Sequence, residues 1–128
     1  MRIVAACVLA SLPFAAAAQQ PLPTEPPPPN AWVARPAAAL VALNKITARE
    51  TPLAVRVGQS ALFGSLTIAV RACIVRPPDQ PADAAAYLDV TDAHAGGPAF
   101  HGWIILSAPA LSMLEHPVYD VRLAGCPN

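Results

Sequence analysis

Short runs that alternate apolar and polar residues at every second position dominate the chain from residue 37 onward, and that period belongs to half-buried β-strands. The clearest run is 66–75. There Leu66, Ile68, Val70, Ala72 and Ile74 form one face, and Thr67, Ala69, Arg71, Cys73 and Val75 form the other. Arg76-Pro77-Pro78 ends it, because proline cannot donate to a strand ladder, and a loop through Pro81 follows. Upstream, Leu53, Val55 and Val57 alternate with Ala54 and Arg56 before a turn at Gly58-Gln59-Ser60. Downstream, residues 86–91 set Leu88 and Val90 inward and Asp89 outward. A loop over 94–98, marked by Gly96-Gly97, then leads to residues 100–106. That stretch is nearly continuous in apolar residues, which predicts a central strand buried on both faces.

Residues 107–115 break the alternation. Ser107 suits a helix cap, Pro109 a first turn, and Leu111 and Leu114 share a face at i, i+3, so a short helix or helical turn is expected. The His116-Pro117 junction stops it. Residues 118–123 resume as a strand with Tyr119, Val121 and Leu123 on one side. Residues 37–44 read two ways: alanine favours a helix, while the Asn44-Lys45 turn signal suits a strand leading into 46–49. About six or seven strands with one short helix amount to an all-β domain, a small β-barrel or β-sandwich over residues 37–128.

The first 36 residues follow other rules. Arg2 precedes an apolar run over 3–14, and Ala15 to Ala18 offer the small residues that a signal peptidase reads, with Gln19-Gln20 beyond. A cleaved signal peptide ending near Ala18 is expected, since the apolar stretch falls short of the ~20 residues of a membrane span. The mature chain is then expected to carry no transmembrane span and to reside in the periplasm or outside the cell. Residues 19–36 hold seven of the 16 prolines, including the run Pro26 to Pro29. This reads as an extended polyproline spacer ahead of the domain, within which Trp32 either folds back or touches a partner.

Composition narrows the function classes. In 128 residues, eight basic side chains balance eight acidic ones and the formal net charge is zero. Without a concentrated cationic face, nucleic acid is not an expected partner. Of the three cysteines, Cys7 leaves with the leader, and Cys73 and Cys126 remain. An even pair in an oxidising compartment reads as one disulfide, worth ~4 kcal/mol by loop closure. Cys73 nevertheless falls on the mixed face of its strand, so either that face is also covered or a bulge resets the register.

Phe63-Gly64-Ser65-Leu66-Thr67-Ile68, Val70-Arg71-Ala72-Cys73, Arg76-Pro77-Pro78, Gly102-Trp103, Ser107-Ala108-Pro109-Ala110-Leu111 and Leu114 to Val121, followed by Cys126, resemble domain of unknown function 2155. The resemblance covers about residues 40–126. It implies a small exported protein of a Gram-negative bacterium with Cys73 paired to Cys126, and it implies no assigned activity. Ile104-Ile105 and Arg122 depart from the pattern, which has Met-Phe and a tryptophan at those places.

Candidate chemistry is sparse. Ser112, His116 and Asp120 have the residue types of a hydrolase triad but not its strand–turn–helix setting. His101-Gly102 lacks the Ser-x-Gly-Cys of a wall transpeptidase. His94, His101, His116 and Asp92 have the residue types of a metal site, without zinc-type spacing. No phosphate loop, heptad array or repeat calls for a cofactor. The expected function is therefore a non-catalytic envelope module that binds a protein or cell-wall polymer. The alternative is a small periplasmic hydrolase or metal-dependent enzyme using His101 and His116. The candidate binding surface joins Glu115, His116, Tyr119 and Asp120 to Phe100 and Trp103 as an aromatic-rimmed corner.

Overall fold

The structure, a computed structural model, describes residues 31–128. The expected leader and most of the proline-rich segment lie outside the described residues. The strands are β1 (Val33–Ala34), β2 (Ala37–Asn44), β3 (Arg49–Arg56), β4 (Ser60–Phe63), β5 (Leu66–Val75), β6 (Ala84–Asp92), β7 (Phe100–Ile105) and β8 (Tyr119–Gly125). They form two antiparallel sheets. The first runs β1-β5-β6-β7, with β4 also paired to β5, and the second runs β3-β2-β8. Each sheet has one apolar face, and burying the two against each other gives a sandwich of the expected class.

The core follows the period-two pattern. Leu40 and Val55 from the second sheet meet Leu66, Ile68, Val70, Leu88, Val90 and Ile104 from the first, with Val121 and Leu123 of β8 beside them. Each such buried side chain contributes roughly 1.5–3 kcal/mol relative to exposure. Residues 37–44 are a strand: β2 is paired on both sides, and its Ala38, Leu40 and Ala42 point into the core. Two ladders and a buried face outweigh the helix preference of alanine. Pro52 is accommodated because β3 is an edge. Asn44 shapes the following turn by accepting the Ile46 and Thr47 amides.

Two expectations change, and two readings left open are decided. In β5 the pairing with β6 shifts between Val70 and Ala72, so Arg71 is the extra residue of a bulge. Leu66, Ile68 and Val70 are therefore inward before it and Cys73 after it, while Ala72 and Ile74 leave the core face. The bulge, rather than a second covering layer, buries Cys73. Its sulfur is bonded to that of Cys126 across 53 positions, with Cα atoms 5.7 Å apart, which staples β5 of one sheet to the end of β8 in the other.

Residues 100–106 are not a central, two-sided strand. β7 is the edge of the first sheet, and Trp103 and Leu106 are exposed. A run of apolar residues does not distinguish a covered face from an exposed one, and among the described residues none covers the outer face. The 107–115 segment holds only a 3₁₀ turn, Pro109–Leu111, whose cap position is Ala108 with no side-chain cap. Ser107 instead binds Asp83: its hydroxyl donates to Oδ2 at 2.6 Å and its amide to Oδ1 at 3.0 Å. Finally, β1 and β4 are strands that the alternation does not announce. Val33–Ala34, within the expected spacer, pairs with Val75 and Ile74, and the Arg76 guanidinium lies 5.3 Å from the Trp32 ring centre. Among the described residues no helix is long and apolar enough to cross a membrane.

Candidate functional site

Two groups of chemistry-bearing side chains emerge, one at an end of the sandwich and one on the outer face of the first sheet. The first is organised by Asp92, the last residue of β6. Its carboxylate accepts the His94 amide at 2.9 Å and faces the His94 ring at 3.1 Å. It lies 2.7 Å from His116 Nε2, and the Ser65 side chain adds to the lowering of its pKa. These donors, the His94 amide foremost, hold the Asp92 carboxyl far below its ordinary value of 3.8.

His116 completes the arrangement from the loop before β8. Its Nδ1 accepts the amides of Val118 at 3.0 Å and Tyr119 at 3.1 Å. A nitrogen that accepts two N–H groups carries no proton, so Nε2 carries it and donates to Asp92. Lys45 adds a third tie, its ammonium donating to the His116 carbonyl at 2.7 Å. The His116 and Asp92 side chains are only 5% and 4% exposed.

Tyr119 stands against this pair. Its ring lies 5.1 Å from that of His116 and meets Phe63 edge-on at 5.3 Å. The hydroxyl reaches Gly64, where φ is +55° and where any Cβ would run into the ring. Glycine is required there on both counts. On one side of Tyr119 a cleft of about 400 Å³ is bounded by the 94–98 loop, Asp92 and His116. On its other side lies a cleft of about 380 Å³ edged by Asn44, Arg49 and Phe63.

The second group sits on β5, β6 and β7. The Asp89 carboxylate takes Arg71 Nε at 2.6 Å on one oxygen and faces His101 Nδ1 at 2.7 Å on the other. Arg71 and then His101 draw the Asp89 carboxyl below its ordinary value. Arg71 and His101 are 61% and 56% exposed. One step along the strands, Tyr87 and Trp103 are cross-strand partners whose rings meet edge-on at 5.5 Å.

The expected corner is thus divided. His116 and Tyr119 do come together, His116 buried and Tyr119 half-buried between the two clefts. Asp120 is also buried and accepts Arg122 Nε at 3.1 Å, while Glu115 is exposed. Phe100 packs against the core, and Trp103 faces outward beside Tyr87. Among the metal-type residues, Asp92, His94 and His116 meet, whereas His101 belongs to the outer face. Both His116 nitrogens are engaged, which leaves no lone pair there for a metal, and among the described residues no three His, Cys, Asp or Glu side chains form a metal-holding group.

Several participants carry no chemical motif in the sequence. Ser65 and Arg71 lie in blocks that carry the family resemblance and Lys45 in a turn signal, but none of them, nor Tyr87, belongs to a recognisable catalytic or binding constellation, and Asp92 stands out only as a metal-type residue. Arg71 leaves a further trace, as a lone charge inside a long apolar strand. The roles of Lys45 and Ser65 become visible only through what the fold sets opposite them.

A family model described as an uncharacterized protein conserved in bacteria (DUF2155) matches residues 38–126. An uncharacterized protein of Rickettsia prowazekii (strain Madrid E) is 29% identical over 90 residues, covering 68% of this chain and 58% of that protein. The chain thus spans less than two thirds of this relative's length. No solved structure gives a significant match.

Proposed function

This chain belongs to the family of uncharacterized proteins conserved in bacteria (DUF2155), and from that premise we propose that it is an exported, non-catalytic binding module of the bacterial envelope. The engagement of His116 carries the reading. Its Nδ1 is taken by two backbone amides and its Nε2 by Asp92, so the best-built histidine of the domain holds a loop in place and has no lone pair to offer a substrate. The cysteines Cys73 and Cys126 are joined to each other, which removes both as nucleophiles. The alternative, a hydrolase or metal-dependent enzyme using His101 and His116, gains nothing from a histidine so engaged.

Export is supported by the charged, apolar and small-residue order of the leader and by a disulfide, a bond that persists in oxidising compartments. Recognition then falls to exposed side chains, and among the described residues Trp103 is the large aromatic group most open to a partner. Two measurements test the proposal together. Intact mass of the envelope-fractionated protein should show Gln19 at the N-terminus with the disulfide closed. A photo-crosslinker at position 103 should trap an envelope component in living cells. A full-length cytoplasmic protein as the main species, or a position 103 that never yields an adduct, would overturn it.

A further inference from the structure

We infer that the outer face of the first sheet, built on Trp103, Tyr87, Asp89, His101 and Arg71, binds the neutral glycan strand of the cell wall. The inference deepens the binding-module reading and rests on it.

Geometry supplies the platform. Tyr87 and Trp103 are directly opposed on β6 and β7, and Asp89 and His101 are the next opposed pair on the same face. Neighbouring strands lie ~4.8 Å apart and same-face residues ~7 Å apart along a strand. The aromatic pair and the ionic group therefore lie within reach of consecutive sugar rings. On β5 the partners of Asp89 and Tyr87 are Ala69 and Ala72. Both are small side chains, shorter than the aromatic rings beside them. The bulge at Arg71 is the second observation. It interrupts the ladder at the one place where the extra residue brings a guanidinium onto Asp89, and bulges often serve to re-aim a side chain.

Chemistry selects the ligand class. The apolar face of a sugar ring packs on an aromatic ring, while its hydroxyls both donate and accept hydrogen bonds. This face offers the same mixture: Arg71 donates, Asp89 accepts, and His101 presents a second ring nitrogen beyond the one facing Asp89. The guanidinium and carboxylate cancel in charge, so the face attracts neither a polyanion nor a polycation and suits an uncharged, hydroxyl-rich polymer.

The test uses the full exported protein with purified wall sacculi, in co-sedimentation, and with a β-1,4-linked N-acetylglucosamine oligomer, followed by tryptophan fluorescence. Wild type should sediment with sacculi and respond to the oligomer. Trp103→Ala should weaken both about tenfold or more with an unchanged melting temperature. Asp89→Asn should weaken them several-fold, and Leu111→Ala, exposed outside this face, should leave them unchanged. Equal binding by Trp103→Ala overturns the assigned site. Binding to sacculi that stem peptide displaces, without binding to the oligomer, overturns the glycan. Absence of all glycan binding, with position 103 crosslinking to an envelope protein, overturns the glycan and leaves the binding module standing. Absence of both overturns the two together.

Discussion

The domain contains two histidine–carboxylate pairs with the same 2.7 Å separation, His116–Asp92 and His101–Asp89, and they do opposite work. The first is almost wholly buried, and every polar atom of its imidazole has a protein partner. The second is open to water on the outer face of a sheet. Distance alone therefore says little about a polar pair. Burial decides whether breaking it orphans its neighbours, and buried groups without partners cost far more than exposed ones. The buried pair ties the 94–98 loop, the turn after β2 and the start of β8 into one end of the sandwich. The exposed pair holds nothing that water could not solvate, which leaves it free to meet a ligand.

Substitutions that treat the pairs alike should sharpen this contrast. His116→Ala should have the largest effect, about 3 kcal/mol by urea denaturation, because it orphans two amides and takes from the buried Asp92 carboxylate the donor on its Oδ2. A loss below about 1 kcal/mol would place that corner outside the structural frame. Gly64→Ala should follow at about 2 kcal/mol, since it strains a left-handed residue and displaces the Tyr119 ring. Near-ultraviolet circular dichroism should register the displaced aromatic, and an unchanged spectrum would refute the contact.

Acid should separate the pairs by another route. A carboxylate whose folded-state pKa is depressed stabilises the fold above its unfolded value and loses that contribution as pH falls through the folded one. Asp92, Asp89 and Asp83 are all depressed from 3.8, Asp92 the most. Stability should accordingly hold above about pH 4 and fall progressively below it, more steeply in wild type than in Asp92→Asn. Parallel acid curves for the two proteins would show that Asp92 carries none of that dependence. The smallest effect is expected for His101→Ala, within about 0.5 kcal/mol, as for most exposed ion pairs. A larger loss would mean that the outer face is structural after all.

The candidate site is legible in the sequence only in part. Residues 114–121 stand out as a cluster of ionisable and aromatic groups around Pro117, and that cluster does organise one end of the domain. What the spacing does not reveal is that Asp120 turns to Arg122 while His116 reaches Asp92, 24 residues away. Phe100 and Trp103 lie three apart on one strand, so period two sends them to opposite faces. Strict alternation is enough to separate the two. The apolar run of 100–106 obscures it, because neighbouring residues on both faces are apolar.

Alternation of side chains by itself determined the all-β class, the inward faces of β3, β6 and β8 and the first half of β5, because a period of two is a local property of extended backbone. Proline placement set the end of β5, and the cysteine count set the disulfide. Tertiary structure alone decided the rest. It placed β7 at an edge, since an apolar run looks the same covered or bare. It inserted the bulge that turns Cys73 inward and Arg71 onto Asp89, since register is a property of two strands and not of one. It also gave two similar histidines different roles, since what surrounds an imidazole comes from segments far apart in the chain.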